Sequence, residues 1–167
     1  MGLSYQQNSV FERLTENNAI VRDMNAAIRG RANFLTAAST AIVGLIAAAK
    51  FLPSGHENLG VEYVLLALVC LCSVGMYWRA ALIWRSENTE LPGTCNLDKL
   101  YSAYIGQEID VAFHNLLSDL CEAVDKNLLV NQKKASHLDA MVRIFMIQLT
   151  LLAISVAWGP LTHLFGN

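Results

Sequence analysis

Three apolar blocks separated by polar segments constrain this chain more than any other feature of its sequence. The blocks run from Asn33 to Leu52, from Tyr63 to Trp84 and from Ile144 to Phe165. Each has roughly the 20 residues that an α-helix needs to cross a hydrocarbon core of about 30 Å. The sequence therefore predicts an all-α integral membrane protein, with three transmembrane helices and cytoplasmic helical extensions that form a helical bundle.

The distribution of charge agrees with this interpretation. Charged residues make up 16% of the chain, against about 25% in an ordinary soluble domain, and they gather between the apolar blocks, as expected where charge at the bilayer centre is costly. We predict an N-terminal cytoplasmic helix at 1–32, transmembrane helices 1 and 2 within 33–86, a cytoplasmic helical segment at 87–143 and transmembrane helix 3 at 144–167. The net charge of −2 indicates no nucleic-acid partner.

Lysine and arginine predict the orientation, because they accumulate on the cytoplasmic side of membrane proteins. Arg79 and Arg85 close the second block, and the loop from Pro53 to Glu62 has neither residue type. The N-terminus is then cytoplasmic and the C-terminus lies on the outer side. Six basic residues that precede the first and third blocks form a predicted basic collar, which binds either anionic lipid headgroups or a phosphorylated signal molecule: Arg22, Arg29, Arg31, Lys133, Lys134 and Arg143.

The two polar segments carry helical patterns. In residues 8–32, seven positions alternate in steps of three and four as in coiled coils: Phe11, Leu14, Asn18, Val21, Asn25, Ile28 and Ala32. A buried asparagine in such a seam sets register; the alternative is a solvated helix. The second segment has a predicted N-cap at Asn96 and a seam that becomes polar at Asn131 and Lys134. A faint repeat relates Asn18-Ala-Ile-Val to Asn127-Leu-Leu-Val, and each copy leads directly into an apolar block.

Polar and small residues within the blocks predict how the helices are used. Thr36, Thr40 and Gly44 recur every four residues, and small residues at this spacing let helix backbones approach closely. We predict that they line a pore. Gln148, Ser155 and Thr162 recur every seven residues and are predicted to serve helix packing, although hydrogen bonding between helices and pore lining both remain open for these faces. Three helices cannot enclose an ion path, so we expect a cyclic homo-oligomer, with a tetramer favoured.

The sequence contains few residues in patterns that indicate catalysis or ligand binding. It contains no phosphate-binding loop, dinucleotide fingerprint, zinc-protease motif or serine-hydrolase motif. Asp110 and His114 lie four apart without a nucleophile or metal motif, which favours pairing on a helix surface. His137 is predicted to be solvated. Arg79 is predicted to reach the cytoplasmic interface, and the alternative is a positive ring in a pore that disfavours cations. We predict no catalytic residue, no cofactor and no metal.

The arrangement of these segments resembles a known family. A polar helix containing Asn18 and Ala26 enters a small-residue-rich span, and a later helix with Asn127 and Lys134-Ala135 enters the last span. This layout is similar to the small membrane effectors of bacterial nucleotide-signalling antiphage systems, of the SLATT and Pycsar transmembrane-effector kind. The resemblance implies a location in the bacterial inner membrane, with the C-terminus in the periplasm. It also implies oligomeric assembly, control by a nucleotide signal or a partner protein, and membrane leakage in antiphage defence.

Two functions are therefore expected from the sequence. One is a gated ion channel or pore formed by several copies of the chain in contact with membrane lipids. The other is a non-conducting membrane anchor or scaffold for a cytoplasmic partner.

Overall fold

A computed structural model of the chain describes residues 5–51, 59–85 and 108–165, and nearly all of them are helical. Helix α1 extends over Tyr5–Phe51, α2 over Leu59–Arg85 and α3 over Ile109–Phe165. All three helices are long and apolar enough to cross a membrane. The prediction of an all-helical chain with three helices of this kind is confirmed. The predicted cap at Asn96 and the start of the second polar segment lie outside the described residues.

Helices α1 and α3 each join a polar segment to an apolar block without interruption. They contain 47 and 57 residues, which at about 1.5 Å per residue gives lengths of about 70 and 85 Å. Helix α1 ends at Phe51, two residues before Pro53, because a proline ring is incompatible with a helix interior. The prediction that both polar helices run directly into apolar helices is confirmed.

The contacts divide the chain into two compact units. The polar unit comprises the described residues of 1–28 and 86–134, and the apolar unit comprises those of 29–85 and 135–167. In the polar unit α1 and α3 run parallel, because Val21 contacts Asn131 and, one turn further along α1, Asn25 contacts Lys134 one turn further along α3.

In the apolar unit α1 and α2 run antiparallel. Thr40 contacts Tyr77 and Asn33 contacts Trp84, so the numbering falls along α2 as it rises along α1. The core of this unit is a cluster of Ile42, Ile46 and Val69, with further apolar side chains packed against it: Val43, Leu66, Phe145, Leu151 and Leu152.

The buried positions of each helix follow the steps of three and four that mark a packed helical seam. On α2 the buried side chains are Val69, Ser73, Met76, Ala80 and Ile83. On α1 they include Asn18, Val21, Asn25, Ile28 and Ala32, which belong to the predicted seam. On α3 the seam passes through Ala123 and Asn127, and the neighbouring Leu128 is 38% exposed.

The faint repeat in the sequence has a structural counterpart. Asn18 and Asn127 begin its two copies, stand 109 residues apart in the sequence, and are both buried. Hydrogen bonds donated by α3 to α1 join residues at nearly the same separation in the sequence. In the polar unit the separations are 110 and 109 residues, and in the apolar unit the separation is 109 residues. Matched residues of the repeat therefore lie beside one another on parallel helices.

Candidate functional site

Five buried polar side chains form a cluster between α1 and α3 in the polar unit, here called the asparagine–lysine cluster: Asn18, Asn25, Asn127, Asn131 and Lys134. The Lys134 ammonium donates a hydrogen bond to Asn25 Oδ1 at 2.9 Å. The Asn131 side chain donates from Nδ2 to the Val21 carbonyl at 2.7 Å. The carboxamide oxygens of Asn18 and Asn131 are buried and have no hydrogen-bond partner among the described residues.

The asparagine–lysine cluster makes the α1–α3 pairing specific. An ammonium ion loses its hydration when it is buried, and the interaction with neighbouring dipoles offsets only part of that cost. A shift of either helix by one turn would separate Lys134 from Asn25 and leave a charge in an apolar seam. Polar residues at such positions fix register and partner at some cost in stability.

The basic collar predicted from sequence requires one correction. The side chain of Lys134 has no exposed surface, so it is not available to a lipid headgroup or a soluble signal. Its seam position explains the burial, because its long stem lies between the helices and its head reaches Asn25. Arg29 is half-buried, and the remaining four members are exposed: Arg22, Arg31, Lys133 and Arg143.

A second polar cluster joins all three helices in the apolar unit. Gln148 on α3 is completely buried, and its side-chain nitrogen donates to Ser73 Oγ at 3.1 Å and to the Ser39 carbonyl at 3.4 Å. Ser39 and Ser73 share a hydrogen bond of 2.9 Å. Because Ser73 gives its only hydroxyl proton to the Val69 carbonyl at 3.2 Å, Ser39 is the donor of the shared bond.

Gln148 therefore holds α1, α2 and α3 together through hydrogen bonds between helices, and Gln148 Oε1 is buried without a hydrogen-bond partner among the described residues. Ser155, predicted to share its face, is half-buried. Thr162 belongs to α3, but its side chain lies outside the described part of the structure.

The predicted pore-lining residues differ in their surroundings. Gly44 is exposed, and a Cβ added there would meet nothing within 4 Å among the described atoms. Thr40 is exposed and contacts α2 through a hydrogen bond of 2.6 Å to the Tyr77 hydroxyl. Thr36 is half-buried, and its hydroxyl donates to the Ala32 carbonyl at 2.7 Å. The three residues follow one side of α1, and of the three it is Gly44 that has free space around it.

An open groove lies between α1 and α2, with a volume of about 480 Å³. Its lining combines small side chains with aromatic and polar ones: Asn33, Thr36, Ala37, Thr40, Tyr77, Ala80, Ala81 and Trp84. At one end Trp84 donates its indole N–H to Asn33 Oδ1 at 3.3 Å, and the Arg29 guanidinium lies 5.2 Å from the centre of the Trp84 ring system. The groove therefore has alanines along its length, and the Arg29 guanidinium lies beside Trp84 without being part of the lining.

Arg79 and His137 form a contact that sequence analysis did not predict. Arg79 Nη1 lies 3.2 Å from His137 Nδ1, and both side chains are half-buried. Since a guanidinium only donates, the imidazole nitrogen that faces it is the acceptor. The prediction that His137 is a solvated, isolated residue is wrong, because α2 brings a donor to it.

The described residues hold no group of three histidine, cysteine, aspartate or glutamate side chains that would bind a metal ion. The described cysteines Cys70, Cys72 and Cys121 are all free thiols. No protein-family model, curated protein or solved structure matches this chain.

Sequence reasoning missed Ser39 and Ser73, which bind the side chain of Gln148. A usable signal existed, since each serine is a polar residue near the middle of an apolar block and a buried glutamine needs partners on neighbouring helices. The cation–aromatic contact of Arg29 with Trp84 was also missed. The two residues are far apart in sequence, and only the antiparallel arrangement of α1 and α2 brings them together.

Proposed function

We propose that this chain is one subunit of a cyclic homo-oligomeric membrane channel in which α1 lines the ion path. The observation that carries the proposal is the open, small-residue side of α1 around Gly44. The N-terminus and the polar unit lie in the cytoplasm under this proposal, and the C-terminus lies on the outer side, as the positions of lysine and arginine favour.

Insertion into a membrane is supported by apolar surface that the chain leaves uncovered. The most apolar 18-residue windows of α1, α2 and α3 are only 22%, 28% and 11% buried within the chain. Large apolar side chains such as Leu71, Val74 and Trp78 point outward from α2. Monomeric soluble proteins rarely expose continuous apolar surface of this extent. Lipid tails or further copies of the chain would cover it.

The exposed sides of α1 and α2 differ in a way that favours assembly through α1. Like α2, α1 exposes some large side chains, such as Phe34 and Leu45, but it also exposes a run of small residues at Ala41, Gly44 and Ala48. Association of helices in a membrane depends on close packing, which small residues permit. Several copies of α1 can therefore surround a central axis, with Gly44 toward it and Thr40 and Thr36 at the flank that faces α2.

Channel function follows from assembly because one subunit has too few helices to enclose an ion path. Closed rotational symmetry is usual for homo-oligomers, and we favour a tetramer. The resemblance to antiphage effectors supports control by a nucleotide signal or a partner protein. The exposed basic residues Arg22, Arg31, Lys133 and Arg143 offer suitable ligands for phosphate groups.

Substitution of Gly44 by leucine tests the proposal with a matched control. Gly44→Leu adds bulk to the open side of α1, and the free space around Gly44 means that the fold of the subunit tolerates it. Ala67→Leu makes a comparable change at an exposed position of α2. We expect overexpression of the parent and of Ala67→Leu to collapse the membrane potential of the host, and Gly44→Leu to leave it intact at equal membrane abundance.

The opposite results have distinct meanings. If the parent protein reaches the membrane in quantity and the potential is unchanged in the presence of candidate nucleotide signals, the chain is a non-conducting anchor. If Gly44→Leu conducts as the parent does, α1 does not line the path.

A further inference from the structure

The groove between α1 and α2 has the features of a lipid site and not only of a gap between helices. From Asn33 to Thr40 its α1 wall contains eight residues, and the seven steps between them give a length of about 10 Å at about 1.5 Å per residue. Alanines at positions 37, 80 and 81 leave room along this length. Helix α2 supplies Trp84 at one end and Tyr77 further along. Tryptophan and tyrosine with one polar and one apolar edge are typical of the membrane interface.

A positive charge lies next to Trp84, at one end of the groove. The Arg29 guanidinium is held by Trp84 at 5.2 Å from the ring centre, which is within the distance for a cation–π interaction. Its Nε is buried, so the two Nη groups of this half-buried side chain are the donors that would meet a phosphate. A planar guanidinium fixed in this way is well suited to a phosphate group.

We propose that this groove binds one anionic phospholipid, with the phosphate at Arg29 and Asn33 and an acyl chain along the alanine floor toward Thr40. The proposal rests on insertion of the apolar unit into a membrane, with the Arg29 end at the interface. A groove of about 10 Å then reaches into one leaflet of a hydrocarbon core about 30 Å thick. The site is formed on α1 by residues between Asn33 and Thr40, and Gly44 is not part of its lining.

Charge distinguishes this occupant from a second copy of the chain. None of the three apolar blocks contains an aspartate or a glutamate, so a second copy would neutralise Arg29 only with a carboxylate from outside its apolar blocks, such as the exposed Asp139. A phospholipid supplies both a negative headgroup for the arginine and an apolar tail for the alanines. The proposal thus accounts for both ends of the groove with one molecule.

Native mass spectrometry of the full chain in mild detergent tests the proposal, with phosphatidylglycerol and phosphatidylcholine as probes. We expect the parent to retain phosphatidylglycerol in preference to phosphatidylcholine. Arg29→Gln should lower the retained phosphatidylglycerol about fivefold, the equivalent of about 1 kcal/mol for one arginine near a membrane surface. Ala81→Leu should lower retention of both lipids by filling the groove. Excess inorganic phosphate should not displace the bound lipid.

Three variants serve as controls. Arg13→Gln removes an exposed arginine of α1 outside the basic collar and Ala67→Leu enlarges an alanine outside the groove, and both should retain lipid as the parent does. Arg29→Lys keeps the charge and should retain most of the binding. Circular dichroism establishes that every variant is folded. Arg29→Lys tests the headgroup contact and Ala81→Leu tests the space for the acyl chain, so if one of them misfolds the other still gives a decisive comparison.

The proposal is overturned if the parent retains the two lipids equally, or if Arg13→Gln loses as much lipid as Arg29→Gln. It is also overturned if inorganic phosphate displaces the lipid, which would identify a site for a free phosphate. A change in oligomer mass for Ala81→Leu with unchanged lipid retention would show that the groove receives a second copy. The lipid experiment does not measure ion conduction. A negative result therefore overturns the lipid site without overturning the proposed channel, and a chain that conducts no ions can still retain lipid.

Discussion

The asparagine–lysine cluster yields a prediction whose magnitude follows from the hydrogen bond at its centre. Lys134 donates to Asn25 Oδ1 in a fully buried setting, and a hydrogen bond to a charged group contributes about 1.5–3 kcal/mol to stability. We expect Asn25→Leu to lower the free energy of local opening of the polar unit by about 2 kcal/mol. A change of that size is about a 30-fold shift in the opening equilibrium.

The double variant Asn25→Leu with Lys134→Met should recover this loss. Replacing both partners of a buried polar pair by apolar residues of similar volume is often neutral or stabilising, because the cost of dehydrating the charge is removed as well. We expect its opening free energy to return to within about 1 kcal/mol of the parent or to exceed it. The two substitutions are then coupled, as expected for residues in contact.

Hydrogen–deuterium exchange of the full chain in mild detergent measures these differences at the amides of residues 18–28 and 123–134. Asn17→Leu is the matched control, because Asn17 is the exposed neighbour of a buried asparagine and surface changes usually stay within about 0.5 kcal/mol. Equal exchange in Asn25→Leu and Asn17→Leu would refute the reasoning. So would a double variant whose loss is the sum of the two single losses.

Two further predictions address the apolar unit and its orientation. Gln148→Leu removes the donor shared by Ser39 and Ser73, so we expect a lower yield of correctly assembled protein on size-exclusion chromatography, with Ser155→Ala as a milder control. Single cysteines placed in a cysteine-free background at Gly60 and after Phe165 should label from outside the cell. A cysteine at Gly93 should label only after the membrane is permeabilised, and labelling there from outside would contradict the orientation.

Sequence patterns predicted the helices well because two simple signals dominate the chain, the length of its apolar blocks and the spacing of its seam residues. Long apolar blocks indicate helices α1, α2 and α3, and steps of three and four indicate the seam that Asn18, Val21 and Asn25 occupy. Both signals depend on residues that are close in the sequence, so they can be recognised without knowing which helices pack together. The faint repeat could be interpreted only from the register of α1 and α3, which places its matched residues beside one another.

Side-chain environments were harder to predict because they depend on contacts between helices. Lys134 was placed in the basic collar on account of its charge and its proximity to an apolar block. Its actual position depends on Asn25, which lies 109 residues earlier. His137 likewise gained its partner Arg79 from a helix 58 residues away. The charge and polarity of a residue do not identify its partner on another helix, and only the faint repeat, whose offset is also 109 residues, indicated one of these two pairings.

Channel formation is the central claim, and single-channel recording of the purified full chain in a planar lipid bilayer tests it most directly. We expect discrete and reproducible current steps from the parent protein, with or without an added nucleotide signal. Protein that is shown to be inserted and oligomeric in the same bilayer but gives no current steps under either condition would contradict the proposal.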